Sequence, residues 1–387
     1  MTASGLLFLL IGLAITGAFS SRRFLSSRLL PWLLFFYHLF FSLIYWRYSL
    51  ANPADSHIYY NSIGQHAPFD VSTAFIKWIM SRLDFFFSAS YLDYFLLFQL
   101  FGFVGFCLLY NAIAEVISHD HSKNAKRLLN IIIFLPNLHF WTSAIGKDSL
   151  IFFGITLSIW SLMKYRTRMA GLIAGLIITY FVRPHVAGFF MASILLALLW
   201  GMGLTLRWRI AGTIAITVVI FMLLPKITDF VGLETLSTES VSIYLDKRQG
   251  YTFEGGSAVD IRDYNIPLKF FTFLFRPLFF DAKGTLWWMV SVENLILLIL
   301  AALTFSRKLW PLLFKYRVSF FMRFNFFFFL VGLTAFSLSI ANMGIAIRQK
   351  TMLMPSFIII AISVYALKLL QQSGIAPDSE ANPKNVD

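Results

Sequence analysis

The chain has 387 residues, 58% of them hydrophobic and only 13% charged, and a net charge of +13 from 32 Lys and Arg against 19 Asp and Glu. Soluble domains carry roughly 25% charged residues, so this composition excludes an ordinary water-soluble fold. Apolar runs near twenty residues recur along the whole length, which is the signature of spanning helices rather than of the short alternating segments of a membrane barrel. The expected fold class is all-α: a polytopic transmembrane helical bundle, because backbone polar groups in lipid must be satisfied within each helix.

In chain order, the length rule gives about 11 spans. The first, Ser4–Ser20, has no basic residue before it and is followed by Arg22, Arg23 and Arg28, so it reads as a first span rather than a cleaved leader. The second is Leu29–Trp46. A segment from Ser72 to Ser88 follows, with Thr73, Lys77, Ser81, Asp84 and Ser88 at helical spacing and Phe75, Ile79 and Leu83 on another face. It reads as an amphipathic helix lying in the interface. The third span is Tyr91–Ser118, followed by Lys123, Lys126 and Arg127. The fourth is Leu128–Trp141, the fifth Ser149–Met163, and then "KYRTR". The sixth is Met169–Phe181, the seventh Ala187–Leu206 and the eighth Ile210–Leu224, which opens a long loop, 225–284. The ninth, Leu286–Phe305, leads to the basic stretch "SRKLWPLLFKYR"; the tenth is Val318–Ala341 and the eleventh Thr351–Leu370. One transmembrane domain therefore covers 1–370, and 371–387 is a polar tail.

Basic clusters occupy every second short loop. Lys and Arg mark the cytoplasmic side, so the N-terminus is expected outside and the C-terminus inside, with the long loop outside. These clusters absorb most of the net charge and leave no need for a nucleic-acid partner. The single cysteine, Cys107, excludes a disulfide within the chain and a cysteine-based metal site.

This topology sends the unusual polar residues to one face. Asp55, Tyr59 and Tyr60 follow the second span, Lys147 and Asp148 the fourth, and Arg183 and His185 the sixth; Arg276 closes the long loop, and Arg348 and Lys350 follow the tenth. Ionisable groups at membrane depth are expensive and point to function. Several cations beside at least two carboxylates suit an anionic ligand such as the phosphate or pyrophosphate of a lipid carrier, which arginine grips with a bidentate fork. Asp148 alone reads as a cap of the fifth span. Lys147 opposes the dipole of that helix, which makes sense beside a bound anion. Two motifs fail: "GKDS" lacks the upstream glycine and the Ser or Thr of a phosphate-binding loop, and "HDH" (His119, His121) falls in a short loop with no further ligands. No metal or cofactor is expected.

The early outer loop with Asp55, Tyr59 and Tyr60, followed by an amphipathic helix, resembles the polytopic glycosyltransferases of the C superfamily, as does the late "RQKTMLMPSF" before a final helix. The stretch "RYSLANPADSHIYY" after two spans is equally similar to bacterial exopolysaccharide and O-antigen polymerases. The resemblance covers about a tenth of the chain. It implies a bacterial inner-membrane enzyme of surface-polysaccharide assembly that takes a polyprenyl-phosphate-linked sugar, here undecaprenyl-linked, on the periplasmic face. It further implies Asp55 as general base and outer arginines as pyrophosphate-binding; joined to the outer-face residues read above, Tyr59, Tyr60, Lys147, Asp148, Arg183, His185, Arg276 and Arg348 are the expected substrate-binding residues. Other membrane proteins of polysaccharide assembly are the expected partners. The rivals are a flippase for lipid-linked glycan and a non-catalytic subunit of an assembly complex.

Overall fold

The computed structural model describes residues 2–21, 25, 27–117, 123–201, 205–215, 250, 257–282, 284–305 and 320–372. Arg22, Arg23, His119, His121, most of the long loop, the basic stretch 306–319, most of the eighth span and the tail from 373 lie outside them. The described residues are helical, and their β pairing is a single isolated bridge, Ala258 with Asn342. This is a helical membrane protein. Five helices are long and apolar enough to cross a bilayer, or seven if two bent pairs each count as one span.

The helices are α1 (Ala3–Ser21), α2 (Leu30–Ala51), α3 (Asp55–Tyr60), α4 (Thr73–Phe87), α5 (Tyr91–Ile117), α6 (Lys123–Ile132), α7 (Pro136–Thr142), α8 (Lys147–Met163), α9 (Tyr165–Val182) and α10 (Pro184–Gly201). Within the long loop lies α11 (Ile266–Phe275), and after it come α12 (Thr285–Thr304), α13 (Phe320–Ser339), α14 (Met343–Gln349), a 3-10 turn (Lys350–Met352) and α15 (Met354–Gln372). Helix α5 is the buried centre: 78% of its apolar window is inside the protein, against 22% for α1. A helix apolar all round belongs in such a place.

One expected span is broken, and two neighbouring helix pairs are sharply bent. The fourth splits at Pro136, which lacks the N–H to continue α6 and instead starts α7. Helices α7 and α8 then meet at 111°, and α14 with its 3-10 turn meets α15 at 64°. The first bend falls on Gly146, whose φ of +136° is open to glycine. A Cβ there would stand 2.6 Å from the Tyr59 ring.

The amphipathic segment is helical, as α4; it fully buries Ile76 and Met80, with Phe75, Ile79 and Leu83 half-buried against the core beside them. Its start docks on the end of α9: Phe75 stacks on Phe181 at 5.0 Å, and the Ser72 N–H donates to the Phe181 carbonyl at 2.6 Å. Phe85 and Phe86 stay exposed at its far end.

The helix ends sort into two sides. At one, Thr2 donates to Asp93 at 2.7 Å and Ser4 to the Phe87 carbonyl at 2.8 Å, joining the starts of α1 and α5 to the end of α4. At the other, Glu115 pairs with Lys164 at 2.9 Å and Arg168 at 2.8 Å, joining the end of α5 to the α8–α9 turn. The described end of the long loop returns to the first side, where Met343 N–H donates to the Ser257 carbonyl at 2.9 Å.

Candidate functional site

The first side carries a cluster of five charged groups from four places in the chain. Asp55 opens α3, Lys147 and Asp148 open α8, Arg183 sits between α9 and α10, and Arg348 is near the end of α14. Arg348 is the hub. Its Nη1 pairs with Asp55 Oδ2 at 2.6 Å, and its Nε donates to Asp148 Oδ2. The other oxygen of Asp148 accepts Arg183 Nη2 at 3.0 Å. The face of Trp141 lies 5.7 Å from the Arg348 guanidinium carbon, within cation–π range.

Lys147 stands apart from the carboxylates; its Nζ donates to Ser72 Oγ at 2.9 Å. Three cations thus face two carboxylates, which leaves the cluster a net positive charge. Exposure is graded across it. Asp148 and Arg183 side chains are only 8% and 11% exposed, Arg348 is 22% exposed, and Asp55 is 42% exposed. The cluster is therefore sealed on the bundle side and open on the Asp55 side.

Asp148 does not cap α8. The N-cap position is Gly146, no side chain caps that helix, and the Asp148 carboxylate is spent on two arginines. The reading of Asp148 as a cap gives way because two guanidiniums outbid the backbone N–H groups. The other expected residues divide. Tyr59 is buried, one turn along α3 from Asp55, with its ring over Gly146; it shapes the floor of the site. Tyr60 packs against Tyr91 and Tyr94, at 5.1 and 6.1 Å. His185 is exposed and meets Phe189 and Phe336 edge-on. Neither Tyr60 nor His185 joins the charged cluster.

Arg276 also belongs elsewhere. Its Nε and Nη2 grip Asp281 bidentately, at 3.0 and 2.5 Å, in the turn before α12. Burial alone would raise the Asp281 carboxyl, but the Arg276 hydrogen bonds and the Leu278 N–H outweigh it and hold it below the ordinary carboxylate range.

Sequence reading missed Trp141, Ser72 and a second buried cluster. Lys350 is 1% exposed, not a surface cation; its Nζ donates to Asn294 Oδ1, while Glu293, 3% exposed, accepts the Asn137 N–H at 2.7 Å. An acid and an amide in the middle of the ninth apolar run were the available signal. Among the described residues, no group of three or more His, Cys, Asp or Glu gathers as a metal site. Comparisons with family models, with curated proteins and with solved structures find no match.

Proposed function

We propose that the protein is a glycosyltransferase or polymerase of bacterial surface-polysaccharide assembly, working on an undecaprenyl-linked sugar at the periplasmic face of the inner membrane. In this reading the site side faces the periplasm, the chain crosses about eleven times with N-terminus out and C-terminus in, and the Glu115–Lys164–Arg168 side faces the cytoplasm. The observation that carries it is the arginine hub: a net positive cluster, sealed below and open above, with a half-exposed carboxylate paired to its central guanidinium.

The geometry supports an exchange. The donor phosphate takes the Arg348 fork in place of Asp55, and Arg183 and Lys147 add positive charge behind it. Asp55, released from Arg348, accepts the proton of the acceptor hydroxyl as the sugar–phosphate bond breaks. The guanidiniums then balance the charge growing on the leaving phosphate. Binding of the donor thereby frees the base. Tyr60, His185 and Arg276 lie outside this cluster, so sugar and acceptor contacts are the roles left to them.

A second reading has its own observation. Broken helices whose interruptions meet at a polar site are typical of transporters, and two bent pairs contribute Lys147, Asp148 and Arg348 here. Purified protein in liposomes separates the two. Growth of glycan on a lipid-linked acceptor supports the transferase; movement of the lipid-linked sugar across the bilayer without growth supports the carrier.

A further inference from the structure

Arg348 lies on a helix of seven residues, too short to hold a guanidinium in place by itself. What fixes it is visible two residues on. Lys350 Nζ donates to Asn294 Oδ1 of α12, and to the Leu274 carbonyl at 3.4 Å. The neighbouring Glu293 accepts the N–H of Asn137 on α7 at 2.7 Å. Asn137 Oδ1 in turn accepts the indole N–H of Trp141 at 3.1 Å, and Trp141 is the ring beneath Arg348. Asn294 Nδ2 also donates to the Pro277 carbonyl at 2.8 Å, next to Arg276. One buried group of three side chains is thus tied to the hub from both sides, through the chain to Arg348 and through Asn137 to Trp141.

We propose that Glu293, Asn294 and Lys350 form an internal polar frame that positions Arg348 and Trp141 for the anion. Stability alone is a poor reason to keep such a group. Replacing opposite buried charges by apolar residues is often neutral or stabilising, whereas removing one of the two is costly. The frame also lies where the two bent pairs meet. The α7–α8 and α14–α15 breaks present Trp141 and Arg348 at one level, and the same buried group is bonded to α7 and to the 3-10 turn. The anion-positioning role rests on the proposed function; the frame itself does not.

The test uses full-length protein in detergent, with Lys350→Met, Glu293→Gln/Lys350→Met and Asn294→Ala. Three quantities are read: melting temperature, the rate of phenylglyoxal modification of Arg348 by peptide mass spectrometry without ligand, and affinity for inorganic pyrophosphate. Lys350→Met leaves Glu293 uncompensated and should melt lower, while the double variant should recover. Arg348 should nevertheless react several-fold faster in both, and pyrophosphate should bind about tenfold more weakly, the loss expected of one well-placed charge-assisted bond. Asn294→Ala changes no charge and should show the same pair of effects, which keeps the test decisive if the double variant does not recover. A stable variant in which Arg348 reacts at the wild-type rate, or binds pyrophosphate as the wild type does, overturns the positioning role. Wild-type protein that binds no pyrophosphate, with Arg348 still released in the variants, would defeat the proposed anion site and leave the frame standing.

Discussion

At the level of single residues, the cluster obeys a simple rule: each buried charge has a partner, and the partner most exposed to solvent is the one available for chemistry. Asp148 is the deep carboxylate and Asp55 the shallow one. Asp148→Asn should therefore behave as the loss of a buried counter-charge, leaving Arg183 without a carboxylate and Arg348 with Asp55 alone. The expected cost is about 3–5 kcal/mol, seen as a clear drop in melting temperature in detergent. A silent Asp148→Asn would show instead that asparagine suffices there, as it would for a helix cap. Asp55, Lys147, Asp148, Arg183 and Arg348 were legible in the sequence because charges are rare in this chain and the alternation of basic loops sends these to one end. Their pairing was not legible: Arg348 and Asp148 are 200 positions apart, and nothing in either segment names the other. Trp141 and Ser72 were invisible for the same reason, being ordinary residues made special only by what folds over them.

At the level of elements, apolar run length locates helices well and bends poorly. The starts of α1, α5 and α8 fall within two residues of the expected spans, because an apolar run lies just inside each. The 111° break falls in the turn expected between the fourth and fifth spans, but its angle, like the 64° of the second, escapes a length rule, which locates ends and not directions. Pro136 and Gly146 were the local signs. The turn before α12 permits a test outside the spans. Asp281 is held below its ordinary range by Arg276 despite burial, so its stabilisation is present above the unfolded carboxyl value of about 3.9. It is lost as pH falls through the lowered folded value. Wild type should exceed Asp281→Asn by about 1.5–3 kcal/mol, the worth of hydrogen bonds to a charged group. That gap should hold from pH 7 down to about 5, begin to shrink near the unfolded value of about 4 and close only as pH falls through the lowered folded value. A gap that stays constant with pH would mean that packing rather than charge holds this turn.

At the level of the molecule, the arrangement is a helical bundle with two unlike ends. One end carries the Glu115–Lys164–Arg168 network and the α8–α9 turn. The other gathers the arginine hub, the amphipathic α4 with its exposed Phe85 and Phe86, and the described end of the long loop. Under the proposed function a lipid-linked substrate would keep its carrier chain in the bilayer and bring its phosphate to the hub beside α4. The central claim is that Asp55 is the base set free when phosphate takes Arg348. The most direct measurement is glycan elongation on a lipid-linked acceptor by purified wild-type and Asp55→Asn protein in liposomes, with donor binding measured alongside. Asparagine keeps the shape of the side chain but neither its charge nor its basicity. The account predicts that Asp55→Asn binds donor at least as tightly as wild type, since Arg348 no longer has to leave a carboxylate, and elongates nothing. Elongation by Asp55→Asn at the wild-type rate would contradict it.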